Sequence, residues 1–72
     1  MIPMKTFWCE DRPTLEDILA AYQEVQQGSV VMIYWAVKYN GLYHRIITRD
    51  TIKQFPNCQD YWDKCIPHIY GM

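Results

Sequence analysis

Residues 29 to 49 read Ser29-Val-Val-Met-Ile-Tyr-Trp-Ala-Val-Lys-Tyr39, then Asn40-Gly41, then Leu42-Tyr-His-Arg-Ile-Ile-Thr-Arg49. Two runs rich in β-branched and aromatic residues flank an Asn-Gly pair. The pair predicts a two-residue hairpin turn, because a type I′ turn needs φ > 0 at both central residues. The turn then predicts the register: Tyr39 opposite Leu42, Lys38 opposite Tyr43, Val37 opposite His44, Ala36 opposite Arg45, Trp35 opposite Ile46 and Tyr34 opposite Ile47. Side chains alternate along each strand. One face therefore collects Val31, Ile33, Trp35, Val37, Tyr39, Leu42, His44, Ile46 and Thr48, and is the expected core. The other collects Val30, Met32, Tyr34, Ala36, Lys38, Tyr43, Arg45, Ile47 and Arg49, and mixes bases and tyrosines with aliphatic groups.

Working outward, Met4 to Cys9 predicts a first strand with Phe7 and Cys9 on one side and Thr6 and Trp8 on the other. Thr14 to Gln27 predicts the principal helix. Thr14 caps its start and Asp17 completes a variant of the capping box, while Glu16 and Asp17 place negative charge in the first turn, where the helix dipole favours it. Leu15, Ile18, Leu19, Tyr22 and Val25 fall on one stripe, and Gly28 stops the helix. After the hairpin, Asp50 is expected to cap a short helix, Thr51 to Phe55, ended by Pro56. Asn57 is expected to cap a last one, Cys58 to Cys65, with Tyr61, Trp62 and Cys65 on one side and Pro67 beyond. Tyr61, Trp62 and Trp8 form an expected aromatic cluster that anchors the last helix to the sheet edge. The tail from His68 is expected to be irregular.

These elements predict a single small α+β domain over residues 1–72, ordered β-α-β-β-α, with an antiparallel sheet centred on the hairpin and its helices packed on one face. Seventy-two residues bury a smaller fraction of their surface than a larger chain does, so stability is marginal. Half the residues are hydrophobic and eleven are aromatic, which excludes a disordered chain and lets a small core bury more area per residue.

A net charge of −1 supplies no global field for nucleic acid or a membrane surface. The charge is nonetheless uneven. Glu10, Asp11, Glu16, Asp17 and Glu24 dominate one stretch, and Lys38, Arg45, Arg49 and Lys53 another. No secretory leader or membrane span is expected: Met1-Ile-Pro-Met-Lys lacks an apolar core, and the run Val30 to Val37 is too short to cross a bilayer. Three cysteines form an odd set, which argues against a disulfide framework and for a reducing, cytoplasmic compartment.

The basic-aromatic sheet face is the leading site. Tyr34, Lys38, Tyr43, Arg45 and Arg49 would stand together on it, as residues suited to protein hot spots or to stacking bases and holding phosphates. A solvated sheet face with cross-strand packing, a homodimer contact and a covering tail are the blander readings of the same strip. Cys58, Cys65 and His68, with Cys9 or His44, could assemble a zinc site, but tight Cys-x2-Cys knuckles are absent, and buried free thiols explain the cysteines better. A nucleophile pair of Cys9 or Cys58 with His44 lacks an orienting third group. No glycine-rich phosphate loop exists, since the glycines stand at 28, 41 and 71. No enzymatic activity, cofactor or metal is expected.

The sheet-and-two-helices layout resembles that of double-stranded RNA-binding domains. It departs from them in strand count, in helix order and in lacking a lysine-rich start to the second helix, so no residues carry over. In format the chain also resembles the compact proteins with which phages and mobile elements block host or defence machinery. The functional expectation is a binding protein that inhibits or modulates a larger protein complex. Single-stranded nucleic-acid binding through the same face is the alternative.

Overall fold

The computed structural model describes residues 2–37 and 41–66, Val37 by its backbone alone. The chain runs β1 (Met4–Cys9), α1 (Leu15–Gln26), β2 (Val30–Val37), β3 (Gly41–Ile47), α2 (Arg49–Gln54) and α3 (Cys58–Cys65). The three strands form one sheet in the order β1-β2-β3. The expected α+β class holds, with two separate helices after the hairpin where the order β-α-β-β-α counts one, and with a mixed sheet in place of an antiparallel one. β1 pairs parallel to β2, Met4 opposite Val30 through Cys9 opposite Trp35. The physical cause is the connection. A helix between neighbouring strands returns the chain to the end where it started, so the two strands must run the same way.

Each helix is bounded by local chemistry. At the start of α1, the Thr14 N–H donates to Asp17 Oδ2 at 2.9 Å and the Asp17 N–H donates to Thr14 Oγ1 at 3.2 Å, which completes the expected capping box. Its end is a Schellman turn: Gly28 N–H donates to the Val25 carbonyl and Ser29 N–H to that of Glu24, both at 3.0 Å, and Gly28 takes φ +106°. The second helix starts earlier than expected. Thr48 rather than Asp50 precedes it, because the Thr48 N–H can donate to Thr51 Oγ1 at 3.2 Å, and Asp50 lies inside the first turn. Asn57 caps α3 as expected, accepting from the Gln59 N–H at 2.9 Å.

The core holds Ile18, Ala21, Tyr22 and Val25 of α1, Val31, Ile33 and Trp35 of β2, Ile47 of β3, and Tyr61 with Ile66 at α3. α1 and α3 therefore lie on the Val31/Ile33/Trp35 side of the sheet, and α2 adds the partly buried Ile52 at the margin of the same core. Leu19 of the expected stripe is 46% exposed, and Ala21 takes the buried position instead. Two polar contacts lock the helices onto this core. The Tyr22 hydroxyl donates to the Phe55 carbonyl at 2.6 Å, and the Trp62 indole N–H donates to that of Pro13 at 3.1 Å.

The hairpin register departs from expectation. The observed pairs are Val31–Ile47, Met32–Ile46, Ile33–Arg45, Tyr34–His44, Trp35–Tyr43, Ala36–Leu42 and Val37–Gly41. Pairing begins at Gly41, so three residues, 38–40, separate the strands rather than two. Gly41 does hold the positive φ that the Asn-Gly pair demands, at +94°, but as the first residue of β3. The pairing is offset by an odd number of residues from the predicted one. Because alternation has period two, an odd offset turns every β3 side chain to the opposite face.

Candidate functional site

The offset rebuilds the exposed face of the sheet. Ile47 is fully buried, whereas Leu42 is 60% and Ile46 46% exposed. Tyr43 lies on the helix side, stacked on Trp35 with ring centroids 6.0 Å apart. Arg45 also belongs to that side. It remains exposed at its margin, with Nη1 donating to the His44 carbonyl at 3.0 Å. Its charge acts on Tyr61 and Cys65, opposing the burial that raises both groups. Arg49 opens α2 and borders a cleft of about 400 Å³ with Ser29, Thr48 and Asp50. The five residues expected to form one basic-aromatic strip are therefore not brought together. Tyr34 alone stands on the open face, Tyr43 and Arg45 face the helices, Arg49 is on a helix, and Lys38 lies outside the described residues.

What occupies the open face is apolar and aromatic. Three cross-strand rows can be read from the pairing: Thr6–Met32–Ile46, Trp8–Tyr34–His44 and Ala36–Leu42, with Met4 and Val30 at the near end. The middle row is a continuous ledge of rings. Trp8 and Tyr34 stack at 4.7 Å and 17°, and Tyr34 meets His44 at 5.9 Å and 37°. Trp8 is 70% exposed, so the outer face of its indole is free. It does not join Tyr61 and Trp62, which sit on the other side of the sheet. Among the described residues, no side chain on this face belongs to an Asp, Glu, Lys or Arg.

The sequence carried the signals for this face in two places. Helix-linked parallel pairing fixes β1 beside β2 and so sets Trp8 next to Tyr34. The second signal is β2 itself, where Val-Val-Met-Ile-Tyr-Trp-Ala-Val has no charged or amide side chain on either face.

The remaining chemistry is dispersed. Cys9 lies on the helix side, its Sγ donating to Asp17 Oδ2 at 3.6 Å, while His44 is on the open side, so the two do not form a pair. Burial first, and then the adjacent Asp17 charge, push the Cys9 thiol up to about 11, away from the thiolate a nucleophile needs. Among the described residues no three His, Cys, Asp or Glu side chains gather as a metal site, and His68 of the expected ligand set lies outside them. No described helix is long and apolar enough to cross a membrane. Comparison with known proteins finds no matching family model, no matching curated protein and no matching solved structure.

Proposed function

We propose that this chain is a non-catalytic binding protein that docks on a protein surface through the open face of its sheet, and that it inhibits or modulates the larger complex it joins. The observation that carries this reading is the exposed face itself, whose described side chains include no Asp, Glu, Lys or Arg, with Trp8, Leu42 and Ile46 presented to solvent around an aromatic ledge. Apolar side chains scattered singly on a surface are ordinary, but a contiguous set spanning three strands marks an interaction site. Trp and Tyr at the centre of such a set are the residue types that dominate protein interfaces. The half-buried free thiols of Cys9, Cys58 and Cys65 favour a reducing compartment as the place of action.

The same composition supports a protein partner over single-stranded nucleic acid. Surfaces that stack bases place lysine or arginine beside the rings to hold phosphates. Here Arg45 and Arg49 lie elsewhere. The test is capture from the native host with the tagged full chain. A specific retained protein should be lost with Trp8→Ala or Ile46→Asp and kept with Arg49→Glu. Retention by both face variants would end this reading. Loss with Arg49→Glu alone, together with steep salt dependence, would favour nucleic acid.

A further inference from the structure

The central strand is composed for two covered faces, and the fold covers one. A strand with one wet face alternates apolar and polar residues, whereas a strand buried on both sides is apolar throughout. β2 is of the second kind over all eight residues. Helices cover Val31, Ile33 and Trp35, while Val30, Met32, Tyr34 and Ala36 point the other way, between the exposed Trp8 and Ile46.

We propose that a second copy of this chain closes the open face, sheet against sheet about a two-fold axis. The inference rests on the open face being an interaction surface, and it names the occupant that a foreign partner must displace. Charge argues for a copy. Because the described side chains of the face carry no fixed charge, it can meet its own image without like-charge repulsion and without burying an unpaired ion. A net charge of −1 adds little repulsion between whole molecules. Relief argues the same way. The tall row Trp8–Tyr34–His44 runs beside the low position of Ala36. A two-fold axis lying across the strands between these rows seats the aromatic ledge of each copy over Ala36 and Leu42 of the other. The contact is reciprocal, as an isologous interface requires, and two sheets so stacked form an ordinary aligned sandwich.

Size sets the strength. A standard interface takes roughly 800 Å² from each partner, about a sixth of the 5009 Å² this chain exposes. A face of about ten side chains falls at the low end, where association is weak and reversible.

Sedimentation equilibrium of the full chain tests this, run with reductant so that Cys9, Cys58 and Cys65 cannot cross-link. Between roughly 1 and 100 µM, concentrations that bracket a weak and reversible dimer, the mass should climb from 8.7 kDa toward about twice that value. Leu42→Asp and Ala36→Asp, at exposed positions that leave the core intact, should each weaken association at least about tenfold. Gln23→Asp on the far side of α1 should leave it unchanged. Far-UV circular dichroism confirms that each variant folds, and the native titration decides the matter without any variant. A monomer throughout the range overturns the proposal, as does a dimer indifferent to both face variants. A monomer that still loses its captured protein on Trp8→Ala separates the two ideas, since docking then stands and self-association falls.

Discussion

Cys9 shows how one side chain can be reactive by type and quiet by position. Its Sγ reaches Asp17 Oδ2, which also accepts from the Thr14 N–H and hydroxyl. The carboxylate thus ties the end of β1 to the first turn of α1. The thiol is held protonated, first by partial burial and then by the neighbouring negative charge. Only the thiolate attacks an electrophile, so a thiol raised from 9.0 to about 11 is largely withheld at neutral pH. At pH 8 Cys9 should react with an aromatic disulfide reagent at least about tenfold more slowly than an unstructured peptide thiol. Mass spectrometry of the labelled peptide assigns the rate to this position. Labelling of Cys9 at the peptide rate would mean that Asp17 and burial do not govern it.

At the scale of elements, β3 decides which surface the molecule presents. Its alternate sets are nearly equivalent in kind: Leu42, His44 and Ile46 against Tyr43, Arg45 and Ile47, each with two apolar or aromatic groups and one base. Periodicity in the sequence cannot choose between them, so the choice falls to the turn, and one additional loop residue on the approach from β2 is enough to invert it. The inversion makes adjacent isoleucines unequal. Ile47→Ala should cost about 2–5 kcal/mol, because it empties a fully buried site. Ile46→Ala, from the open face, should cost less than about 1 kcal/mol. Urea unfolding of the two variants reads the difference, and equal losses would contradict the observed register. Elements whose limits rest on local chemistry were legible in the sequence: β1 in full, α1 with its capping box and glycine stop, and α3 with its Asn57 cap. The faces of β2 were legible too, since helical cover follows Val31, Ile33 and Trp35. On the open face, Tyr34 was legible together with its β2 neighbours Val30, Met32 and Ala36. Trp8, Leu42, His44 and Ile46 depend on pairing across strands, and Tyr43 and Arg45 were misplaced by the same inverted strand. Parallel pairing of β1 was recoverable from the strand-helix-strand order alone.

For the whole molecule, the protons held at its two internal joints couple folding to pH. Cys9 sits at the β1–α1 joint, and Tyr22, Tyr61 and Cys65 sit where α1 meets α3. Burial is the largest cause in every case. It raises Cys9 to about 11 and Tyr22 to about 12, and it moves Tyr61 and Cys65 upward against the opposing charge of Arg45. These acids favour their neutral forms in the folded state, so above the ordinary thiol range the unfolded chain releases protons that the native chain keeps. Stability is then fully present below about pH 9 and falls as pH rises toward 12. The groups lie on both sides of one core, so the loss should shift a single cooperative transition rather than melt one helix. A domain of this size has only a few kcal/mol in reserve, so the shift should be readily measured. The urea midpoint should drop between pH 8 and pH 10.5, with little change in slope. Tyr22→Phe should flatten part of that dependence while losing the hydrogen bond to Phe55. A midpoint that holds steady across the interval would mean that these phenols and thiols ionise in the folded chain as freely as in the unfolded one, and that the packing of α3 on α1 is looser than the Tyr22–Tyr61 ring contact implies.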